Sequence, residues 1–198
     1  MIIFTNIIED SPISLLKKYY DDATSAGQKD INAVCISSYD KENCNVEARF
    51  VNLKYVDNYD FIFYTNYNSP KSKQFELHNQ ISATLFWNNI RLQIRIKAHV
   101  HKQSKEMNNK YFLQRSDDKN ALAISSNQSE IIDSYQSVIK KYENTLNTGN
   151  LSKCPDHWGG YIFVPFEIEF WKGHDHRLNK RSLYRRHGNE WNHFFLEP

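Results

Sequence analysis

Residues 91–102 read Arg-Leu-Gln-Ile-Arg-Ile-Lys-Ala-His-Val-His-Lys, and polar and apolar side chains alternate along the whole stretch. Successive side chains of a β-strand point to opposite faces. This period of two therefore predicts a strand with one face in a core and the other toward water or an anionic ligand. The polar face carries Arg91, Gln93, Arg95, Lys97, His99 and His101.

The chain on both sides of this strand contains short aromatic or β-branched runs separated by polar turns. Such runs are typical of antiparallel hairpins and predict strands at 31–39, 48–55, 61–66, 82–87, 161–171, 182–187 and 190–196. Helical spacing predicts helices at 105–114, 120–125 and 129–148, and Ser11-Pro12 predicts the capped start of an earlier helix that Gly27 ends. These elements favour a mainly β fold with helices, in which a small closed or split antiparallel barrel removes exposed edges.

The composition limits the classes of partner. The formal net charge of +2 on 198 residues gives no strong overall field, so we expect no nucleic-acid partner, although barrel surfaces can bind single strands. The three cysteines include no CxxC pair and fit neither a disulfide framework nor a zinc site, which favours a cytoplasmic protein. The apolar stretch at 1–8 is too short for a signal peptide and no membrane span follows, so we expect no membrane partner.

The C-terminal segment carries the most specific pattern in the chain: Trp158-Gly159-Gly160-Tyr161, Glu169-Phe170-Trp171-Lys172-Gly173, Arg177-Leu178-Asn179-Lys180-Arg181 and Trp191. With residues 49–54 and 63–66 upstream, this pattern resembles the pyridoxamine 5'-phosphate oxidase family of FMN enzymes from about residue 31 to 198. The resemblance implies a homodimeric FMN-binding split barrel. It divides the chain into an N-terminal helical segment (1–30), a split-barrel FMN-binding domain with helices (31–150) and a C-terminal dimerisation segment that completes the active site (151–198).

The resemblance also implies the cofactor contacts. These are Arg49, Val51, Lys54, Tyr64, Thr65, Lys71, Gln93, Gln128, Ser129, Trp171 and Arg181. Such a site needs cations for the phosphate and hydrogen-bonding groups for the ring, because the protein supplies position and electrostatics while the flavin supplies the redox chemistry. Capping of the 129–148 helix is an equally good interpretation of Ser129. Arg181 needs an anion or a polarised ring edge if it is buried.

Two features of this cofactor set concern the anions that it can bind. Arg49 and Lys54 are five apart, and an odd offset on a strand predicts opposite faces and therefore different anions. The family usually has arginine where this chain has Pro70, so one phosphate cation is missing. A charge-assisted hydrogen bond contributes roughly 1.5 to 3 kcal/mol, which would weaken FMN binding by about one to two decades.

The substrate contacts implied by the resemblance are Lys54, Tyr111, Arg115, Lys119, Arg177 and Asn179, and Arg177 and Asn179 are the catalytic pair. Tyr111 and Arg115 are four apart on a predicted helix, so both can reach one phosphate. The family usually has serine at Lys119 and histidine at Asn179. The lysine adds a charge, whereas the asparagine can still hydrogen-bond a pyridine hydroxyl but cannot carry a proton.

The function implied is oxidation of pyridoxamine or pyridoxine 5'-phosphate to pyridoxal 5'-phosphate, with FMN as cofactor and oxygen as acceptor. A related FMN oxidase of the phenazine-pathway type is one alternative, favoured by Pro70, Lys119 and Asn179. Another is a flavin- or haem-binding split-barrel module without oxidase activity, with His99 or His101 as iron ligands. The run His174-Asp175-His176 has metal-capable side chains, but a solvated loop is the better interpretation, so we expect no metal.

Overall fold

The chain folds into long antiparallel strands connected by short helices, and the computed structural model describes every residue from Met1 to Pro198. The strands are β1 (Ile3–Thr5), β2 (Ala33–Asp40), β3 (Asn45–Asp57), β4 (Asp60–Asn66), β5 (Gln80–Trp87), β6 (Leu92–Lys102), β7 (Trp158–Lys172), β8 (Lys180–His187) and β9 (Glu190–Leu196). The helices are α1 (Pro12–Ser25), α2 (Pro70–Leu77), α3 (Lys105–Leu113), α4 (Asp117–Ser125) and α5 (Tyr135–Thr148). None of these helices combines the length and the apolar character needed to cross a membrane.

The strands form one sheet in the order β1-β3-β2-β5-β6-β7-β8-β9. Strand β4 pairs with both β3 and β7. The barrel is therefore closed by six strands in the order β3-β2-β5-β6-β7-β4. Strands β8 and β9 extend the sheet beyond the barrel, and β1 adds a short parallel pairing to β3. All other pairings are antiparallel, which confirms the predicted class of fold.

The barrel interior is filled by the apolar face of β6 and its neighbours. Leu92, Ile94, Ile96, Ala98 and Val100 are all buried in the main core, whereas the alternating polar residues of β6 point outward. Full burial of one such aliphatic side chain stabilises the fold by about 1.5 to 3 kcal/mol. The alternation of polar and apolar residues in the sequence therefore reflects one core face and one outer face, as predicted.

Helix α1 closes one end of the core and begins as predicted. The Ser11 hydroxyl accepts a hydrogen bond from the Ser14 amide at 3.2 Å, and Pro12 is the first helical residue. Ile13 and Leu16 are buried against the barrel. Residues 1–30 thus share the core of the barrel through this helix and β1.

The start of α5 differs from the prediction. The helix begins at Tyr135 with Ser134 as its cap, and Ser129 has a φ of +73°, which a right-handed helix does not allow. The prediction of a helix from Ser129 is therefore wrong, and so is its capping role. Ile131 and Ile132, which continue the apolar period, are exposed and lie in a loop.

Candidate functional site

The N-terminal half of β3 has one open edge. Residues 45–52 pair with β2, and pairing with β4 begins only at Leu53. A cavity of about 890 Å³ lies along this open edge. It gathers most of the residues expected at the site: Arg49, Val51, Lys54, Tyr64, Thr65, Lys71, Tyr111, Arg115, Lys119, Gln128 and Ser129.

The odd offset between Arg49 and Lys54 predicted opposite faces of a regular strand, but the strand is irregular there. Both line this one cavity, because it wraps around the open edge and a β-bulge between Leu53 and Tyr55 interrupts the alternation. They nevertheless belong to two different cation clusters. The first contains Arg49 and Lys71, and the second contains Lys54, Arg115 and Lys119.

Lys71 is a buried ammonium group without a carboxylate partner. Its side chain enters the cavity from the first turn of α2, and the residue is 7% exposed. Nζ donates to Ser69 Oγ at 2.8 Å and to Gln128 Oε1 at 3.0 Å. Burial, reinforced by the nearby Arg49 charge, lowers the pKa of Lys71 to about 8. A buried cation with only neutral partners is stabilised by an anionic ligand.

Arg49 is held rigidly beside Lys71 by residues that the sequence did not identify. Its guanidinium donates to Ser38 Oγ at 2.6 Å, to Glu47 Oε2 at 2.8 Å and to Gln74 Oε1 at 3.2 Å. The amide nitrogen Nε2 of Gln74 is buried and has no partner in the protein. No local motif marks Ser38 or Gln74, because only the pairing of β2 with β3 and the packing of α2 bring them to Arg49.

The second cluster has no carboxylate partner, whereas Arg49 in the first cluster is paired with Glu47. Burial lowers the pKa of Lys54, and the charges of Lys119 and Arg115 lower it further. Arg115 Nη2 donates to the Lys119 carbonyl at 2.8 Å, while its Nη1 is buried without a partner. Burial also lowers the pKa of Arg115. An anion bound here would relieve the repulsion and pair the free guanidinium nitrogen.

Stacked aromatic rings form the wall beside the second cluster. The centroids of Tyr64 and Tyr111 are 3.8 Å apart at an interplanar angle of 16°, and Trp158 continues the stack at 5.3 Å from Tyr64. The Arg115 guanidinium lies 4.3 Å from a Trp158 ring centroid. Burial raises the pKa of both tyrosines, so each phenol remains a neutral hydrogen-bond donor. Trp158, quoted in the sequence pattern without a role at the site, therefore fixes Arg115.

Three expected cofactor residues lie away from the cavity. Gln93, Trp171 and Arg181 are register partners on the outer face of β6, β7 and β8, and none of them lines the cavity. The anion that Arg181 was expected to need is Glu169 of the same chain. This carboxylate is buried and accepts from Arg181 Nε at 2.8 Å and from Arg95 at 3.1 Å.

The two expected catalytic residues also lie outside the cavity. Arg177, with a φ of +60°, is exposed in the loop before β8, and Asn179 Oδ1 accepts from the His174 amide at 3.1 Å. Asp175 in the same loop forms an ion pair with Arg91. The chain contains no group of three or more His, Cys, Asp or Glu side chains placed to hold a metal ion.

The cavity fits FMN by the chemistry of its residues. The uncompensated Lys71 beside Arg49, with the hydroxyl of Thr65, suits a phosphate dianion. The open backbone edge of β3 provides hydrogen-bonding groups for a polar ring. Pro70 occupies the first position of α2, where it supplies no charge. The cavity can therefore hold two anionic groups, one at each cation cluster.

Comparisons with protein families match nearly the whole chain. Residues 20–148 match the family described as pyridoxamine 5'-phosphate oxidase, and residues 158–198 match the pyridoxine 5'-phosphate oxidase C-terminal dimerisation region. A pyridoxine/pyridoxamine 5'-phosphate oxidase of Legionella pneumophila (strain Lens) is 36% identical over 193 residues, which is 96% of this chain and 89% of the relative. The enzyme of the same name from Flavobacterium psychrophilum is 37% identical over 185 residues, covering 91% of this chain and 85% of the relative.

Solved structures show the same fold. PhzG from Burkholderia lata 383, crystallised with tetrahydrophenazine-1-carboxylic acid, has a TM-score of 0.90 at 24% identity and covers 98% of this chain and 99% of its own. A pyridoxamine 5'-phosphate oxidase-related, FMN-binding protein from Nostoc punctiforme has a TM-score of 0.81 at 13% identity, covering 96% and 100%. These similarities confirm the predicted split-barrel fold.

Proposed function

Because the chain belongs to the pyridoxamine 5'-phosphate oxidase family, whose members are FMN-dependent oxidases, we propose that it oxidises pyridoxamine or pyridoxine 5'-phosphate to pyridoxal 5'-phosphate. FMN is its cofactor. Pyridoxamine 5'-phosphate, oxygen and water give pyridoxal 5'-phosphate, ammonia and hydrogen peroxide. Pyridoxine 5'-phosphate and oxygen give the same aldehyde and hydrogen peroxide.

The second cation cluster is the observation that favours a phosphorylated substrate. Lys54, Arg115 and Lys119 share one cavity with the Arg49–Lys71 cluster, and neither Lys54 nor Arg115 has a carboxylate partner. One phosphate dianion belongs to FMN, so the other cluster requires an anionic group on the substrate. A phosphate fits three cations and the Tyr111 phenol better than a monoanionic carboxylate does.

The chain's own residues bind and orient the substrate. Lys54, Tyr111 and Arg115 hold its phosphate at one end, which positions the reacting carbon and lowers the entropic cost of reaction. The chemistry supplied by bound FMN is acceptance of a hydride from that carbon and transfer of two electrons to oxygen. Arg177 and Asn179 of a second copy cover the pyridine ring and hydrogen-bond its hydroxyl group, so that both orient the ring.

A second copy of the chain completes the site in this proposal. Gln93, Trp171 and Arg181 lie on an outer face, where the neighbouring Phe86 is 54% exposed. An exposed large apolar side chain beside a polar row suits an interface. The homodimer thus brings these residues, with the 173–179 loop, to the cavity of the other copy. The absence of disulfides among the three cysteines supports a cytoplasmic location.

An anaerobic absorbance titration tests the substrate. Addition of pyridoxamine 5'-phosphate to the FMN-loaded protein should bleach the flavin band, whereas unphosphorylated pyridoxamine at the same concentration should not. An Arg115→Met variant should need a much higher concentration of the phosphate ester. Bleaching by a reduced tricyclic carboxylate and by neither vitamin B6 phosphate would reject the proposed substrate and leave the enzyme class intact.

A further inference from the structure

Helix α3 presents one continuous face toward the cavity wall. Tyr111 and Phe112 lie three and four residues after Asn108, and Arg115 lies four and three residues after them, which places all four on one side of the helix and its C-terminal extension. Asn108 and Phe112 are buried, whereas Tyr111 and Arg115 reach the cavity. The position of this face therefore determines where the phenol and the guanidinium lie.

A closed ring of hydrogen bonds fixes the N-terminal end of this face. Asn108 Oδ1 accepts from the Gly160 amide at 2.8 Å, and its Nδ2 donates to the Tyr67 hydroxyl at 3.0 Å. That hydroxyl donates in turn to the Gly160 carbonyl at 2.9 Å. A Cβ on Gly159 would lie 2.2 Å from the Tyr67 hydroxyl oxygen and 2.4 Å from Asn108 Nδ2, so glycine is required for this close approach.

The other contacts of this face with the wall are aromatic and cation–π contacts. Phe112 packs edge-on against Trp158 with centroids 5.2 Å apart, and Arg115 stacks on the same indole. Such contacts fix distance and angle less strictly than hydrogen bonds do, so these contacts alone tolerate a small sliding or rotation of the helix. Hydrogen bonds require specific distances and angles. Asn120 of α4 donates to the Phe112 carbonyl at 3.0 Å, but only Asn108 forms a side-chain hydrogen bond from α3 to the backbone of β7.

We infer that Asn108 is a positioning residue for the substrate's anionic group: by fixing α3 to Gly160 it aims Tyr111 and Arg115 into the second cation cluster. This inference rests on the proposed function only in taking the bound group to be the phosphate of the substrate. Asn108 itself does not line the cavity. The Arg49–Lys71 cluster lies on β3 and α2, so FMN binding should not depend on Asn108.

The test compares Asn108→Leu with Asn109→Leu in the FMN-loaded protein. Leucine matches asparagine in size and removes both hydrogen bonds at position 108, whereas Asn109 is exposed and forms no side-chain hydrogen bond. Because a shift of about 1 Å can cost as much as a hundredfold in a positioned interaction, Asn108→Leu should raise KM for pyridoxamine 5'-phosphate roughly tenfold or more. The kcat should change far less, since the lost contacts serve the ground state and the transition state alike.

A second readout separates this inference from the proposed function. Affinity of the FMN-loaded protein for inorganic phosphate, measured by calorimetry, should fall in Asn108→Leu and not in Asn109→Leu. If the wild-type protein binds phosphate but oxidises no vitamin B6 phosphate, the substrate is wrong while this comparison still decides the role of Asn108. Equal KM values and equal phosphate affinities in the two variants would overturn the inference.

A milder variant covers the case in which Asn108→Leu fails to fold or to hold FMN. Tyr67→Phe removes one hydroxyl from the ring and leaves the Asn108–Gly160 bond in place. It should raise KM in the same direction by a smaller factor, with FMN affinity unchanged. A Tyr67→Phe protein that folds, holds FMN and matches the wild-type KM and phosphate affinity would contradict the inference.

Discussion

The buried ammonium group of Lys71 makes FMN affinity dependent on pH. Its pKa lies at about 8 in the protein without ligand, lowered from 10.5 by burial and by Arg49. FMN presents a phosphate whose second pKa is about 6, so the phosphate is a dianion throughout the alkaline range. The ammonium form of Lys71 binds this dianion, and the neutral amine does not attract it.

The size of the effect follows from the lowered pKa. Between pH 7 and pH 9.5 a group with a pKa of 8 passes from about 90% protonated to about 3% protonated. If the proton is retained in the complex, the apparent Kd for FMN rises about 30-fold over this interval. Lys71→Met should weaken binding at pH 7 by roughly tenfold to a hundredfold, through the loss of a charge-assisted hydrogen bond of about 1.5 to 3 kcal/mol.

Stability should change in the opposite direction. The folded-state pKa of Lys71 lies below its unfolded value of 10.5, so the fold disfavours the protonated lysine. The protein without FMN should therefore gain stability as the pH rises from 8 toward 10.5. Lys71→Met should be more stable than the wild type at pH 7 and should lack this gain.

The assay is quenching of FMN fluorescence on titration with protein at a series of pH values, for the wild type, Lys71→Met and Lys73→Met. Lys73 is exposed on the same helix, so its variant is a control for loss of one lysine. The wild type and Lys73→Met should show the alkaline rise in Kd, and Lys71→Met should not. A flat wild-type profile, or the same rise in Lys71→Met, would refute this account of the phosphate site.

Three further changes probe separate parts of the structure. Lys119→Ser removes one of three cations and should raise KM for the phosphorylated substrate about fivefold at low salt. The KM of this variant should depend less on salt than that of the wild type, and equal salt profiles would contradict this. Glu169→Gln leaves Arg181 without its counter-ion. It should lower the free energy of unfolding in urea by about 1 to 3 kcal/mol and weaken FMN binding. Unchanged values of both would show that Glu169 does not hold Arg181 in place. Ser11→Ala removes the α1 cap and should cost about 1 kcal/mol in the same urea measurement without changing FMN affinity, so a loss of FMN would show that α1 affects the site.

Much of the fold could be predicted because its determinants are local. The alternation on β6 and the Ser11-Pro12 cap each depend on residues close in sequence, and both have the predicted structure. The start of α5 could not be predicted from local signals, because Ile131 and Ile132 extend the helical period but remain exposed in a loop. Apolar spacing implies a helix only when a partner surface buries it.

The candidate site was predictable only in part. The resemblance gave Lys71 and Gln128, which are 57 residues apart and form a hydrogen bond. It did not give Gln74 or Glu169, which hold Arg49 and Arg181. These contacts depend on strand register and on helix packing, which no short motif encodes.

The central claim is that each FMN site combines the cavity of one copy with the outer row of Gln93, Trp171 and Arg181 from another. The most direct test is FMN stoichiometry in a purified heterodimer of Lys71→Met and Arg181→Met chains, each of which alone should bind FMN weakly. In such a heterodimer one site is intact and the other carries both substitutions, so we predict one tightly bound FMN. A control heterodimer of the wild type with the doubly substituted chain should have no intact site. No tight FMN in the first heterodimer, or one in the control, would contradict the claim.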